Sequence, residues 1–100
     1  NKMYQILPYT YKKAKALGVN IKPSTNKTKK IDVFKKGRKV ASVGGYGYGD
    51  YPTFMQNYGK HYANKKRRLY KQRHEKDRHK KGSAGYYADQ LLWWSGDDGV

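Results

Sequence analysis

The sequence predicts a small α+β domain, in which a β-hairpin or three-stranded antiparallel sheet packs with three to four helices. Three observations support this class: two strand-like runs flank a glycine-containing turn, helix-capping residues recur, and no repeat or long linker divides the 100 residues. A chain of this length forms one domain that buries only about two-thirds of its unfolded surface. We therefore expect a single domain over residues 1–100, with extended tails at residues 1–9 and 95–100.

A short helix and a short strand are predicted ahead of the hairpin. Thr10 can cap a helix that runs to Leu17 and ends at Gly18. The alternation of apolar and polar side chains at residues 19–22 favours a strand that ends at Pro23.

The hairpin is the clearest local element of the sequence. Residues 30–34 and 39–43 are strand-like, and Gly37 occupies the second position of a two-residue turn between them. Such a turn sets the register of the strands. The register pairs Val33 with Val40 and Asp32 with Ala41.

Three helices are predicted after the glycine-rich loop of residues 44–49. Asp50 can cap the first, which begins at Tyr51-Pro52 and runs to Tyr58. The last follows Ser83, its predicted cap, and ends at Ser95-Gly96.

The helix between these two is the longest, from Lys60 to about Lys80, and Gly82 ends it. Basic residues cover most of its surface. We expect its apolar positions to form a buried stripe. These positions are Tyr58, Tyr62 and Leu69, with Ala63 and Tyr70 beside them.

The composition favours a shallow core that a partner completes. Hydrophobic residues make up 36% of the chain, below the usual range of about 45–50%, and 11 tyrosines supply much of that share. Buried tyrosines must keep their hydroxyl groups hydrated or hydrogen-bonded. The absence of cysteine excludes disulfides, cysteine-ligated zinc and thiol nucleophiles. No apolar run approaches the ~18 residues of a transmembrane helix, and no signal peptide is expected.

The net charge of +16 is the dominant property of the chain. Residues 1–43 carry +11 and residues 60–81 carry +9, whereas residues 82–100 carry −3. Because a compact domain with this charge repels itself, we expect an anionic partner: nucleic acid, an acidic protein surface or anionic lipid. The basic body and the acidic, tryptophan-bearing end predict two distinct contact surfaces.

The basic face of the long helix is the strongest chemical feature. Its side chains would cover more than half of the helix circumference and present a surface to phosphate or carboxylate oxygens. The alternative is a solvated face, but a surplus of nine positive charges in residues 60–81 is repulsive unless something neutralises it. The candidate contacts for an anionic partner are Lys65, Lys66, Arg67, Arg68, Lys71, Arg73, Lys76 and Arg78.

Aromatic residues are the candidates for a protein interface. For the tyrosines of residues 44–51 we favour packing, within the domain or on a neighbouring subunit, over base stacking, because no aromatic pattern of an RNA-binding sheet is present. Two adjacent tryptophans point in different directions on a helix, so we expect one in the core and one at the surface. The interface candidates are Tyr46, Tyr48, Tyr51, Tyr86, Trp93 and Trp94.

No pattern in the sequence predicts catalysis. His61, His74 and His79 are 13 and five residues apart, so their spacing does not predict a metal site. We find no Ser/His/Asp arrangement and no paired carboxylates. The glycines of residues 45–49 lack the spacing of a dinucleotide-binding loop. We therefore expect a non-enzyme that uses no metal, cofactor or small-molecule substrate.

Five runs of the sequence, in order, resemble a family of small basic proteins of nucleocytoplasmic large DNA viruses, which include chloroviruses and other giant viruses. The resemblance spans roughly residues 10–93, and the last two runs are fairly specific in combination. The runs are residues 21–25 (IKPST), 31–37 (IDVFKKG), 50–53 (DYPT), 67–74 (RRLYKQRH) and 82–93 (GSAGYYADQLLW).

The resemblance implies a minor capsid protein of the virion. In such viruses, minor capsid proteins lie beneath a shell of double jelly-roll major capsid proteins, join neighbouring capsomers and face an internal membrane. The implied partners are the major capsid protein and other minor capsid proteins, with the anionic inner membrane or viral DNA as further contacts. Before assembly the protein would be in the host cytoplasm or nucleus.

The charge alone supports a different function. A basic DNA-binding or packaging protein would contact phosphates through the Lys/Arg-rich helix. The composition also permits a ribosomal-type RNA-binding protein, which the resemblance disfavours.

Overall fold

The computed structural model describes residues 4–94 and confirms the predicted α+β class. The strands form one antiparallel sheet in the order β1-β2-β3. Helix α4 packs against β3 and α1, and α2 packs against α3. The elements are α1 (Pro8–Leu17), β1 (Asn20–Pro23), β2 (Lys29–Lys35), β3 (Arg38–Gly45), α2 (Tyr51–Tyr58), α3 (Lys60–Arg73) and α4 (Ala84–Leu92).

The first helix begins earlier than predicted. Leu7 is its N-cap and makes no side-chain cap bond, while Pro8 starts the helix, where a missing N–H is tolerated. Thr10 is therefore not a cap; it is fully buried inside α1. The extended tail predicted for residues 1–9 is therefore wrong from Pro8 onwards, because Pro8 and Tyr9 belong to α1. Ahead of the helix, Ile6 is buried in the core.

The hairpin turn is confirmed, but its predicted register is wrong. Lys36 and Gly37 form the turn with φ of 54° and 76°, as a two-residue type I′ turn requires. The pairing then shifts at a β-bulge in which Val40 is the extra residue. As a result Val33 pairs with Ala41, not Val40, and Asp32 pairs with Ser42, not Ala41.

The bulge has a physical reason in the hydrogen bonding of Asp32. This carboxylate is buried between three strands and accepts hydrogen bonds from Ser24 Oγ (2.6 Å) and Ser42 Oγ (2.7 Å). In the predicted register it would face an alanine, which has no side-chain donor. Since an unsatisfied buried carboxylate is costly, pairing with Ser42 is favoured.

The helix that was predicted to reach Lys80 ends at Arg73. The following turn is closed by the backbone N–H groups of Asp77 and Arg78, which both donate to the carbonyl of His74. The Asp77 carbonyl packs so closely on Gly85 that a Cβ there would lie 2.7 Å from its oxygen. Ending α3 here folds the basic chain back onto α4 instead of extending a row of like charges.

The buried stripe of α3 also differs from the predicted one. Ala63 and Tyr70 face the core, whereas Tyr58 is 65% exposed and both Tyr62 and Leu69 are 36% exposed. The buried Tyr70 ring stacks on Trp93, with ring centroids 4.4 Å apart and planes 9° apart.

The caps predicted for the last two helices are confirmed. Asp50 accepts a hydrogen bond from the Thr53 N–H (3.1 Å) at the start of α2, and Ser83 Oγ accepts one from the Tyr86 N–H (3.1 Å) at the start of α4. Helix α4 ends at Leu92. The predicted stop at residues 95–96 and the predicted tail of residues 95–100 lie outside the described residues.

A buried ion pair joins the sheet to α2. Lys30 Nζ lies 2.8 Å from Asp50 Oδ2, and their side chains are 4% and 1% exposed. The same carboxylate accepts a hydrogen bond from the Tyr4 hydroxyl (2.6 Å). Burial, followed by the Asp50 charge, raises the pKa of Tyr4, so this phenol stays a donor.

We expect Asp50→Asn to destabilise the domain strongly. The asparagine retains the oxygen that caps α2 but leaves the Lys30 ammonium buried without a counter-charge, which typically costs about 3–5 kcal/mol. Urea denaturation at pH 7 measures the change in the free energy of unfolding. The Lys30→Met/Asp50→Asn double variant should recover part of the loss; a double variant as unstable as the sum of the single variants would contradict this account.

The buried Asp32 carboxylate should make the free energy of unfolding fall in acid. Burial by itself raises the pKa of Asp32, but hydrogen bonds from Ser24, Ser42 and Thr25 outweigh it and hold the pKa below its ordinary value of 3.8. The charged form therefore stabilises the fold above pH 3.8, and this contribution is lost as the pH falls through the lower, folded-state pKa. We expect Asp32→Asn to reduce the difference in unfolding free energy between pH 6 and pH 2.5. An unchanged difference would contradict the prediction.

Candidate anion-binding surface and aromatic patch

The fold sorts the charges of the chain by sign. Residues 4–94 contain five carboxylates, of which three are buried: Asp32, Asp50 and Asp89. Of the carboxylates in this part of the chain, only Glu75 and Asp77 are exposed. The exposed charged groups of the described domain are therefore mostly cationic, which strengthens its attraction for anions.

Three of the eight predicted basic contacts have internal partners. Arg67 donates to Asn64 Oδ1 (3.1 Å) and to the Trp94 carbonyl (3.3 Å), and its guanidinium lies 4.3 Å from the centre of the Tyr51 ring. Lys71 and Arg78 lie 3.4 and 3.6 Å from the buried Asp89 carboxylate. These side chains hold α3 and the turn after it against α4.

The other five basic contacts are more available. Lys65, Arg68, Arg73 and Lys76 are exposed, and none forms an ion pair with a carboxylate of residues 4–94. Lys66 is half-buried, with its Nζ 5.5 Å from the centre of the Tyr62 ring. Lys65 and Arg68 lie on α3, whereas Lys76 lies in the turn beyond it, so the predicted single basic helix face is wrong.

The predicted aromatic contacts divide in the same way. Tyr51 and Trp93 are buried and are not available at the surface. Tyr86 is half-buried, and Tyr46 and Tyr48 are 42% and 79% exposed.

The second tryptophan is only partly covered. Trp94 is half-buried; it packs against Tyr9, and Lys13 Nζ lies 4.5 Å from its ring centre. Its carbonyl accepts hydrogen bonds from the Tyr9 hydroxyl and from Arg67. Trp93 thus belongs to the core and Trp94 lies at its edge.

Sequence reasoning missed an aromatic patch on α2 and α3, composed of Phe54, Met55, Tyr58 and Tyr62. The Phe54 and Tyr62 rings are 5.3 Å apart and the Tyr58 and Tyr62 rings 4.8 Å apart. Tyr58 is mostly exposed and Met55 is 36% exposed. The spacing of four between Phe54, Tyr58 and Tyr62 was the available signal, but spacing alone does not say whether a stripe faces the core or solvent.

Within residues 4–94, no group of three or more His, Asp or Glu side chains is arranged to hold a metal ion. His74 Nδ1 lies 3.6 Å from Asp77, and His79 Nε2 lies 2.8 Å from Glu75. No helix in the described part of the chain is long and apolar enough to cross a membrane.

Comparison with protein-family models, with curated proteins and with solved structures gives no match to this chain. The functional interpretation therefore depends on the residues and their geometry, and on the sequence resemblance described above.

Replacement of two neighbouring arginines on α3 should affect different properties: stability for Arg67 and affinity for anions for Arg68. Arg67→Ala removes two hydrogen bonds from a charged donor, so we expect a loss of about 2 kcal/mol in unfolding free energy. Arg68→Ala should leave stability unchanged but lower the salt concentration at which the protein elutes from a heparin column. Thermal unfolding and heparin elution of both variants check this, and equal destabilisation by both would contradict it.

Proposed function

We propose that the chain is a non-enzymatic structural component of a large icosahedral DNA virus particle. Its role is that of a minor capsid protein, which joins capsomers on the inner face of the shell. The sequence resemblance supports the viral context. The aromatic patch of α2 and α3 is the structural observation that most supports a docking role.

The patch has the composition of a protein interface. Aromatic residues, methionine and arginine are enriched at the centres of interfaces, and tyrosine supplies much of the binding energy there. The patch brings together the rings of Phe54, Tyr58 and Tyr62, with the exposed Met55 on the same helix as the first two, and Lys66 lies over two of its rings. A partner that covers Tyr58 would bury a ring that is 65% exposed in the isolated domain.

The charge of the domain favours an anionic partner. With Asp32, Asp50 and Asp89 buried, the described surface favours an acidic protein face, such as the base of a major capsid protein capsomer or another minor capsid protein. A partner that binds only the folded chain also stabilises it, which suits a domain with a small core. Anionic lipid of an inner membrane is a further contact of the same charge.

DNA binding is a second candidate function. The observation in its favour is the set of exposed basic side chains that form no ion pair with a carboxylate of residues 4–94, which includes Lys65, Arg68 and Arg73. Contacts of this kind would neutralise phosphates without reading the base sequence.

Purified particles of the encoding virus distinguish the two functions. The membrane is removed with detergent, the DNA is digested, and the shells are washed in about 1 M salt, where charges are screened beyond ~3 Å. Mass spectrometry then quantifies the chain in each fraction. We expect it to remain with the shells, because a packed interface resists salt. Release with the DNA would support packaging instead, and absence from the particles would contradict both functions.

Tyrosine variants test the patch itself. Tyr58→Ala/Tyr62→Ala should lower the amount of chain retained by the shells about tenfold or more, as expected when interface anchors are removed. The matched control is Tyr11→Ala/Val40→Ala, which removes two exposed apolar side chains outside the patch and outside the interface candidates and should leave retention unchanged. Equal loss in both variants would contradict docking through the patch.

A further inference from the structure

A cleft of about 750 Å³ lies between the end of β3, the loop after it and the turn that joins α3 to α4. Neither the aromatic patch nor the exposed middle of α3 contributes to it. Its lining comes from four parts of the chain, including Lys29 of β2, Gly45 of β3, Arg73 of α3 and Ala84 of α4. The fold therefore builds a concave site that no single stretch of sequence reveals.

The cleft concentrates positive charge. Lys29, Arg73, Lys76 and Lys80 line it, and none of the four forms an ion pair within residues 4–94. Asp77 is the one carboxylate of the lining that is left exposed, and His74 lies 3.6 Å from it. The first turn of α4 also opens on the cleft and adds the positive end of a helix dipole. These features favour an anion with several oxygen atoms, such as a phosphate.

The lining also contains apolar side chains and an exposed aromatic ring. The Gly45 backbone is so close to the Tyr48 ring that a Cβ at position 45 would lie 2.8 Å from Tyr48 Cδ2. Although the Tyr48 ring contacts Gly45, the Tyr48 residue is 79% exposed. Ala88, Leu92 and Trp93 contribute apolar side chains to the lining. A phosphate alone would leave this part of the cleft unfilled, whereas a ligand with a planar ring would cover it.

We propose that this cleft binds a nucleoside phosphate, either as a free nucleotide or as one unit of a single-stranded nucleic acid. The phosphate contacts Arg73, Lys76 and Lys80, and the base stacks on Tyr48. The inference goes beyond the proposed structural role and does not rest on it. Cationic grooves with aromatic side chains bind single-stranded nucleic acids in this way, because every base has a face that can stack.

Calorimetric titration of the full chain tests the site, with dAMP as the probe and 2-deoxyribose 5-phosphate as the baseless control. We expect dAMP to bind more tightly than the sugar phosphate. Tyr48→Ala should weaken dAMP binding about tenfold, within the range measured for loss of base stacking. Tyr48→Phe should retain the affinity, and so should Tyr46→Ala, which removes a neighbouring tyrosine outside the cleft.

A pair of lysine variants separates the cleft from general electrostatic attraction. Lys76→Ala/Lys80→Ala should weaken dAMP binding about tenfold or more, because two charged contacts to the phosphate are lost. Lys12→Ala/Lys36→Ala removes the same charge from exposed residues outside the cleft and should have no effect. Equal weakening by both pairs, equal affinity for dAMP and the sugar phosphate, or no binding of dAMP would overturn the proposal.

A hexadeoxyadenylate without a terminal phosphate distinguishes the two sources of the ligand. If the cleft holds one unit of a strand, the hexamer displaces dAMP and binds more tightly, and Tyr48→Ala weakens both. If the cleft holds a free nucleotide, dAMP binds and the hexamer fails to displace it. A hexamer that binds at full strength to Tyr48→Ala and to Lys76→Ala/Lys80→Ala would overturn a strand-binding role for the cleft.

Discussion

The buried ion pair between Lys30 and Asp50 is the interaction on which the architecture depends. One carboxylate receives the Lys30 ammonium from the sheet, the Tyr4 hydroxyl from the N-terminal segment and the Thr53 N–H from α2. The desolvation of both charges offsets much of their attraction. The pair therefore contributes little net stability, but its geometry is demanding: any arrangement that separates these segments leaves a buried charge without a partner. It fixes where α2 begins relative to the sheet.

The use of carboxylates inside the domain has a consequence at its surface. Asp32 and Asp89 follow the same principle as Asp50, since each is buried and joins separate segments of the chain. Within residues 4–94 only Glu75 and Asp77 are thus left to moderate the outer field of a chain whose net charge is +16. The self-repulsion that remains weakens the compact state, and an anionic partner relieves it. Burial of these carboxylates thus both joins segments inside the domain and leaves the surface attractive to anions.

Local signals in the sequence predicted the elements well, and contacts between distant residues decided the rest. The Asp50 and Ser83 caps and the turn at Gly37 depend on adjacent residues, and all three were predicted correctly. The hairpin register was not, because the bulge is set by the hydrogen bond between Ser42 and Asp32. Likewise the exposed and buried stripes of α3 share similar spacing, and only the packing of Trp93 on Tyr70 shows which one faces the core.

The candidate sites, like the register and the buried stripe, depend on contacts that the sequence alone does not reveal. Sequence located the basic residues but not their partners: Arg67 packs on Tyr51, whereas the adjacent Arg68 is exposed, because neighbours on a helix point about 100° apart. The aromatic patch and the cleft share no residue. Trp93 lines the cleft, and its ring lies 6.1 Å from Phe54 of the patch and 4.4 Å from Tyr70. The two surfaces thus use different residues but adjoin where Phe54 packs on Gly49 and Trp93 of the cleft lining.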